Sequence, residues 1–138
     1  MKIHAPSRVQ RGFTLIEIML VVATIALLAV IAVPSYIRAR KRSQAVTILD
    51  GMRTLEGAIN LYTIENGKVG AQAISATDIP SFLPYIKTGC PLYTSLPNDL
   101  LGNPVTFTTL DEAPKISDTT FSALSSAVPL NFWSPYYP

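Results

Sequence analysis

The chain has 138 residues, 49% hydrophobic and 14% charged, with a formal charge of +2, one cysteine and one histidine. That length suits one small core, and the charged fraction lies well below the roughly 25% of an average soluble protein. A lone cysteine excludes intramolecular disulfides and multi-cysteine metal sites, and because the lone histidine, His4, sits near the start in a polar segment, His-based triads, HExxH and zinc sites are not expected; a charge of +2 is too small to argue for nucleic acid.

Residues 1–12 are polar and basic, with Lys2, Arg8 and Arg11. Residues 13–33 follow with a single charge, Glu17, and the run from Ile18 to Val33 has none. As a helix, 21 residues at about 1.5 Å each span about 31 Å, close to the roughly 30 Å hydrocarbon core of a bilayer. A membrane segment is therefore expected. A cleaved secretory signal has a similar basic start and apolar run, and Ala29 and Ala32 are small enough for its end. Glu17 inside the apolar stretch and the helical pattern continuing past Pro34 argue against that alternative.

Residues 35–66 read as an amphipathic helix. Ala45, Ile48, Leu49, Met52, Leu55, Ile59 and Tyr62 follow the i, i+3, i+4, i+7 rule, with Asp50, Arg53, Glu56 and Asn60 opposite. Asn66-Gly67 is a stop, because both residues tolerate the left-handed C-cap conformation. Pro34 removes one backbone N–H and clashes with the carbonyl of Val30, so a kink is expected there within one helix over 13–66, about 80 Å long.

Nine of the eleven prolines lie in 67–138, which disfavours long regular elements. A short helix is expected to start at Thr77–Pro80. Val105–Leu110 alternates and is β-branched, so it reads as a strand, with Lys115–Ser117 as a short partner. Asp118–Val128 has helical spacing, with Ser117 or Asp118 as N-cap. The tail PLNFWSPYYP is expected to cover the core rather than to form a contact patch. The fold class expected is α+β: a long N-terminal membrane-spanning helix packed against a small C-terminal antiparallel layer. Its parts are a leader (1–12), a transmembrane helix (13–34), its amphipathic continuation (35–66) and a globular layer (67–138).

Arg11-Gly12-Phe13-Thr14-Leu15-Ile16-Glu17, the apolar run after it and Pro34-Ser35-Tyr36 together resemble the N-terminus of type IV pilins and type II secretion pseudopilins. The resemblance covers about residues 8–40. It implies a pilin-like fold, cleavage by a prepilin peptidase between Gly12 and Phe13, and N-methylation of Phe13. It further implies that Glu17 pairs with the α-amino group of Phe13 on a neighbouring subunit and so registers assembly. The residues are compatible with this. Gly12 lets a backbone enter a tight protease site, and a carboxylate in an apolar helix needs compensation, being disfavoured by roughly 2.5–3.5 kcal/mol at the helix centre. Taken alone, Glu17 could equally stabilise its own helix dipole, by about 0.3–1 kcal/mol.

A shorter stretch, Asn98–Phe107, looks like the D-x-W-G-N-P-Y-x-Y turn of major secretion pseudopilins, with Leu101 in place of the tryptophan and Val105 and Phe107 in place of the tyrosines. Gly102, Asn103 and Pro104 make a sound turn on physical grounds alone. This shifts the expectation towards a secretion pseudopilin over a type IV pilus subunit. Retention of Glu17 argues against a tip subunit. Calcium, which major pseudopilins often hold, wants six to eight oxygens; no acid follows Asp118, and Asp99, Asp111, Glu112 and Asp118 could meet only by folding, so no metal or other cofactor is expected. Cys90 is expected as a small buried hydrophobe.

Arg38, Arg40, Lys41 and Arg42 form the only dense charge run. They read as a collar at lipid headgroups rather than a nucleic-acid site, since no recognition motif accompanies them. Positive-inside counting does not orient the chain, but the resemblance puts the leader in the cytoplasm and residues 36–138 in the periplasm. The expected partners are copies of itself in a filament, other pseudopilins, the prepilin peptidase, the assembly platform of the inner membrane, and lipid. No catalysis is expected. The rival of another class is a membrane-anchored periplasmic binding domain or enzyme, for which no nucleophile–base pair is visible.

Overall fold

A computed structural model of the chain describes residues 12–68 and 70–137. The expected leader, Gly12 apart, lies outside the described residues.

Helix α1, Leu15–Glu65, runs for 51 residues and continues through Pro34. Two compact units divide the chain between Tyr36 and Ile37. In the first unit α1 is apolar on every side and its side chains are solvent-exposed. It is long and apolar enough to cross a membrane. The hydroxyl of Thr24, which lies within that run, donates to the Val21 carbonyl at 2.8 Å, so it is satisfied inside the helix.

In the second unit α1 becomes striped. Ala45, Ile48, Leu49, Met52, Leu55 and Ile59 are all buried, and each fully buried large one stabilises the unit by about 1.5–3 kcal/mol. Asp50, Arg53 and Asn60 are exposed. Tyr62 is half-buried, its ring edge-on to Phe82 with centroids 4.9 Å apart. The helix stops at Asn66-Gly67 as the residue types require. Gly67 takes a φ of +59°, Gly67 N donates to Ile64 O at 3.4 Å and Lys68 N to Thr63 O at 3.0 Å, which is the paired bonding of a Schellman motif.

The rest of the second unit wraps this stripe in short pieces: a 3-10 turn at Ala76–Asp78, α2 (Ile79–Phe82), a 3-10 turn at Leu83–Tyr85, α3 (Pro91–Ser95), α4 (Asp118–Leu124) and a 3-10 turn at Leu130–Trp133. α4 starts where expected, with the Ser117 hydroxyl accepting from Thr120 N at 3.3 Å. It ends four residues before Val128, because Val128 precedes Pro129 and a residue before proline is pushed out of the helical region. α3 was not expected, although Pro91 at its first position is a helix-start signal.

The antiparallel layer is a correction. Among the described residues no strand forms, and the pairing is reduced to three isolated antiparallel bridges, Ala73↔Thr109, Asn98↔Pro104 and Thr106↔Lys115. Thr106 and Lys115 exchange two backbone bonds of 2.8 and 2.9 Å. The next rung towards the turn would need an N–H from Pro104, which has none. Beyond Phe107 the chain changes partner: Thr108 O accepts from Ile74 N and Leu110 N donates to Gln72 O, both at 3.1 Å. Alternation in VTFTTL thus describes an extended segment without a continuous partner. The tail does close the core: Trp133 and Tyr136 are buried, Ile116 N donates to Tyr136 O at 2.9 Å, and Tyr137 stacks on Phe121 at 4.2 Å.

Candidate functional site

The start of α1 carries the chemistry singled out in the sequence. Among the described residues Gly12 has no heavy atom beyond its chain neighbours within 4 Å of where a Cβ would sit, so that side of its backbone is open. Phe13 is 83% exposed. Glu17 reaches back over the first turn. Its carboxylate accepts from Thr14 N and from the Thr14 hydroxyl, both at 3.1 Å, while Thr14 Oγ1 accepts from Glu17 N at 3.3 Å. This is a reciprocal capping box, which satisfies donors that a helix start otherwise leaves bare. Within one chain, then, Glu17 serves its own helix N-terminus, and the carboxylate is held one residue from Phe13. Thr14 is the member that motif reading passed over; the T-x-x-E spacing signals it.

The turn after α3 forms a second, separate constellation. Gly102 has a φ of +82°, a conformation that favours glycine. Gly102 N donates to Asp99 O at 3.0 Å and Asp99 N to Asn103 O at 2.8 Å, closing the loop on which Pro104 sits. Asp99 is 2% exposed. Its Oδ1 accepts from Leu101 N at 2.8 Å and Asn103 N at 3.0 Å, and its Oδ2 accepts from the Thr120 hydroxyl. Asn103 Nδ2 in turn donates to Thr120 Oγ1 at 2.9 Å. So Gly102 supplies the backbone bend and Asn103 ties the turn to α4. Asp99, which opens the turn motif but was not singled out within it, is the hub. These are structural roles: among the described residues every donor to the carboxylate is neutral and both of its oxygens are bonded, and Asp99 also lines a small cleft with Cys90 and Leu92.

Four other acids are occupied by neighbouring side chains. Glu112 pairs with Lys115 at 2.8 Å, and that bond and one from Thr108 hold its carboxyl below the usual range. Asp118 accepts from the Tyr137 hydroxyl at 2.9 Å, which pushes that phenol up, and Glu65 does the same to Tyr85. Glu56 accepts from the Tyr136 hydroxyl at 2.6 Å; burial first, and Glu56 second, push Tyr136 up to about 12. Among the described residues no three His, Cys, Asp or Glu side chains group as metal ligands. Cys90 is half-buried rather than buried, on the wall of a cleft of about 30 Å³ shared with Asp50, Gly51, Leu92 and Asp99. Arg38, Arg40 and Arg42 are exposed, while Lys41 is half-buried and donates to the Ser126 hydroxyl at 3.2 Å.

Comparison with known proteins bears on the whole. Type II secretion system core protein G of Klebsiella pneumoniae is 34% identical over 59 residues, which are 43% of this chain and 42% of that protein. The type IV major fimbrial protein FimA of Dichelobacter nodosus is 39% identical over 61 residues, 44% of this chain and 39% of its own length. Prepilin peptidase-dependent protein D of Escherichia coli K12 is 33% identical over 72 residues, 52% of this chain and 49% of that one. Over part of its length the chain is thus similar to type IV fimbrial and type II secretion proteins. It spans between about two fifths and half of the length of these relatives. No family profile and no solved structure matches the chain.

Proposed function

We propose that this chain is a structural filament subunit, processed by a prepilin peptidase and polymerised into a periplasmic filament for type II protein secretion. The observation that carries this reading is the capped Glu17 at the head of a helix that is apolar all round. Cleavage between Gly12 and Phe13 would leave an α-amine next to Thr14, whose N–H already binds the Glu17 carboxylate. N-methylation of Phe13 keeps that amine charged, so the amine of a neighbouring copy can replace the capping bonds. Residues 13–33 then exchange lipid for contact with their copies, which in a membrane rests on packing rather than on hydrophobic transfer. Pro34, with no N–H to donate, gives the helix a weak rung for bending during extraction. The reading places the N-terminus in the cytoplasm and residues 36–138 in the periplasm, with other pseudopilins and the inner-membrane assembly platform as partners. Chemistry is left to the peptidase and to a separate motor.

A type IV pilus subunit is the second reading, supported by the resemblance to fimbrial proteins; the turn at Gly102–Pro104 favours secretion. The intact mass of the chain after co-expression with a prepilin peptidase tests the class. The expected mass is that of residues 13–138 plus one methyl group. An uncut chain, or one cut near Ala32, overturns the reading. Exoprotein retained in a deletion strain then supports secretion, whereas loss of surface filaments supports the pilus.

A further inference from the structure

Four cations fall within five residues of α1, at Arg38, Arg40, Lys41 and Arg42. Arg38 faces Lys41 and Arg42 at i+3 and i+4, spacings at which like charges repel on a helix. Among the described residues no acid pairs with the cluster. Among the described residues the only ion pair is Lys115–Glu112, and the one side-chain hydrogen bond from the cluster goes from Lys41 to the neutral Ser126. The nearest acids in sequence are Glu17 and Asp50. The cluster therefore awaits a counter-charge from outside the chain.

Its arrangement indicates what kind. At about 100° per residue, Arg38, Lys41 and Arg42 share an arc of about 100°, while Arg40 lies on the opposite side. The charges ring the helix rather than stripe it, and a flat protein partner meets one face only. A bilayer surface around an emerging helix presents phosphates on every side. Arg38 also follows Val33, the end of the uncharged run, by five residues, about 8 Å of helical rise, which is headgroup depth. We infer that this ring is a binding site for anionic phospholipid headgroups, selecting them over zwitterionic ones and fixing the depth of the helix before assembly. The inference rests on the membrane-subunit reading above.

The test uses the full chain in vesicles of phosphatidylcholine and phosphatidylglycerol, with trace spin-labelled lipid of either kind reporting relative association at the protein surface. The expected preference for phosphatidylglycerol is about fivefold or more, the equivalent of one effective charge near the surface. It weakens as ionic strength rises from about 0.1 M to about 1 M and the Debye length falls from about 10 to about 3 Å. The variant R38Q/R40Q/K41Q/R42Q should lose the preference, with the charges of residues 1–12 unchanged. R40Q alone should lower it, as should R38Q/K41Q/R42Q. An inserted wild-type chain with no preference, or a preference the fourfold variant retains, overturns the inference. An R40Q variant with the full preference would show that one face alone holds the lipid, and overturns the ring. A chain that fails to float with vesicles would instead sink the membrane-subunit reading, and so is distinguishable.

Discussion

α1 is one helix in two chemistries. From Leu15 to Val33 its large apolar side chains are 51–77% exposed, whereas Ile48, Leu49, Met52, Leu55 and Ile59 on the later stripe are 0–6% exposed and Val46, off the stripe, is 50% exposed. Both stretches are rich in Ile, Leu and Ala. What differs is arrangement: the first is apolar all round, the second only along one stripe. Composition says that each stretch leaves water, and periodicity says into what. A stripe is satisfied by the chain's own loops and short helices. A complete apolar cylinder finds no such cover among the described residues and suits lipid or other copies of itself.

If the two stretches answer to separate environments, damage to one should leave the other intact. The largest effect is expected from Trp133→Ala, which empties the most bulky buried site of the second unit. Loss of a buried Trp costs about 3–5 kcal/mol, and the low end applies because the indole N–H is buried without a partner. Denaturant unfolding followed by tyrosine near-UV circular dichroism should show this, with membrane insertion unaltered. Trp133→Phe should cost less than about 1.5 kcal/mol, because removing an unpaired donor offsets the smaller ring. Conversely, Ile25→Arg should oppose insertion by about 2.5–3.5 kcal/mol in a translocon assay and leave that unfolding curve where it was. A change in both readouts from either variant would break the comparison.

Smaller effects sharpen it within the second unit. Asp99→Ala strips acceptors from Leu101 N, Asn103 N and the Thr120 hydroxyl, and should cost about 2–3 kcal/mol by the same unfolding assay. Tyr136→Phe removes the bond to Glu56 and should cost about 1 kcal/mol. It should also change the alkaline limb. Tyr136 is pushed up to about 12 in the folded chain, against an ordinary value of 10.0. The unfolded chain therefore loses this proton first. The stabilisation is complete below pH 10 and lost as pH rises through about 12. Tyr85 and Tyr137 are displaced in the same direction. Wild-type stability should thus fall across that window, and Tyr136→Phe should fall less steeply.

Periodicity alone located the buried stripe from Ala45 to Ile59, and residue type alone located the stop at Gly67, because both depend on local rules. The layer after Gly67 was read less well. VTFTTL has strand-like alternation, but Pro104 beside it has no N–H for the next rung, and beyond Phe107 the chain leaves Lys115 for Gln72 and Ile74. That change of partner is a non-local condition which no window around Val105 contains. α3 and the Thr14 cap carried local signals, a proline at the first helical position and a T-x-x-E spacing. Asp99 opens the turn motif, but its tie to α4 carried no local signal, since its partner Thr120 is 21 residues away. At the head of α1, Gly12, Phe13 and Glu17 were legible through their motif. Their proposed use involves a second copy, which a single chain does not contain.

The Asp99 hub has a consequence for motion. Its carboxylate fastens the turn at Gly102 to Thr120 in the first turn of α4, and Ser117, the cap of α4, adjoins Lys115, which is bonded to Thr106. The turn and the helix therefore cannot open one at a time without baring a buried carboxylate. They should behave as a single foldon, with the amides of Leu101, Asn103 and Thr120 exchanging with solvent at one shared opening free energy.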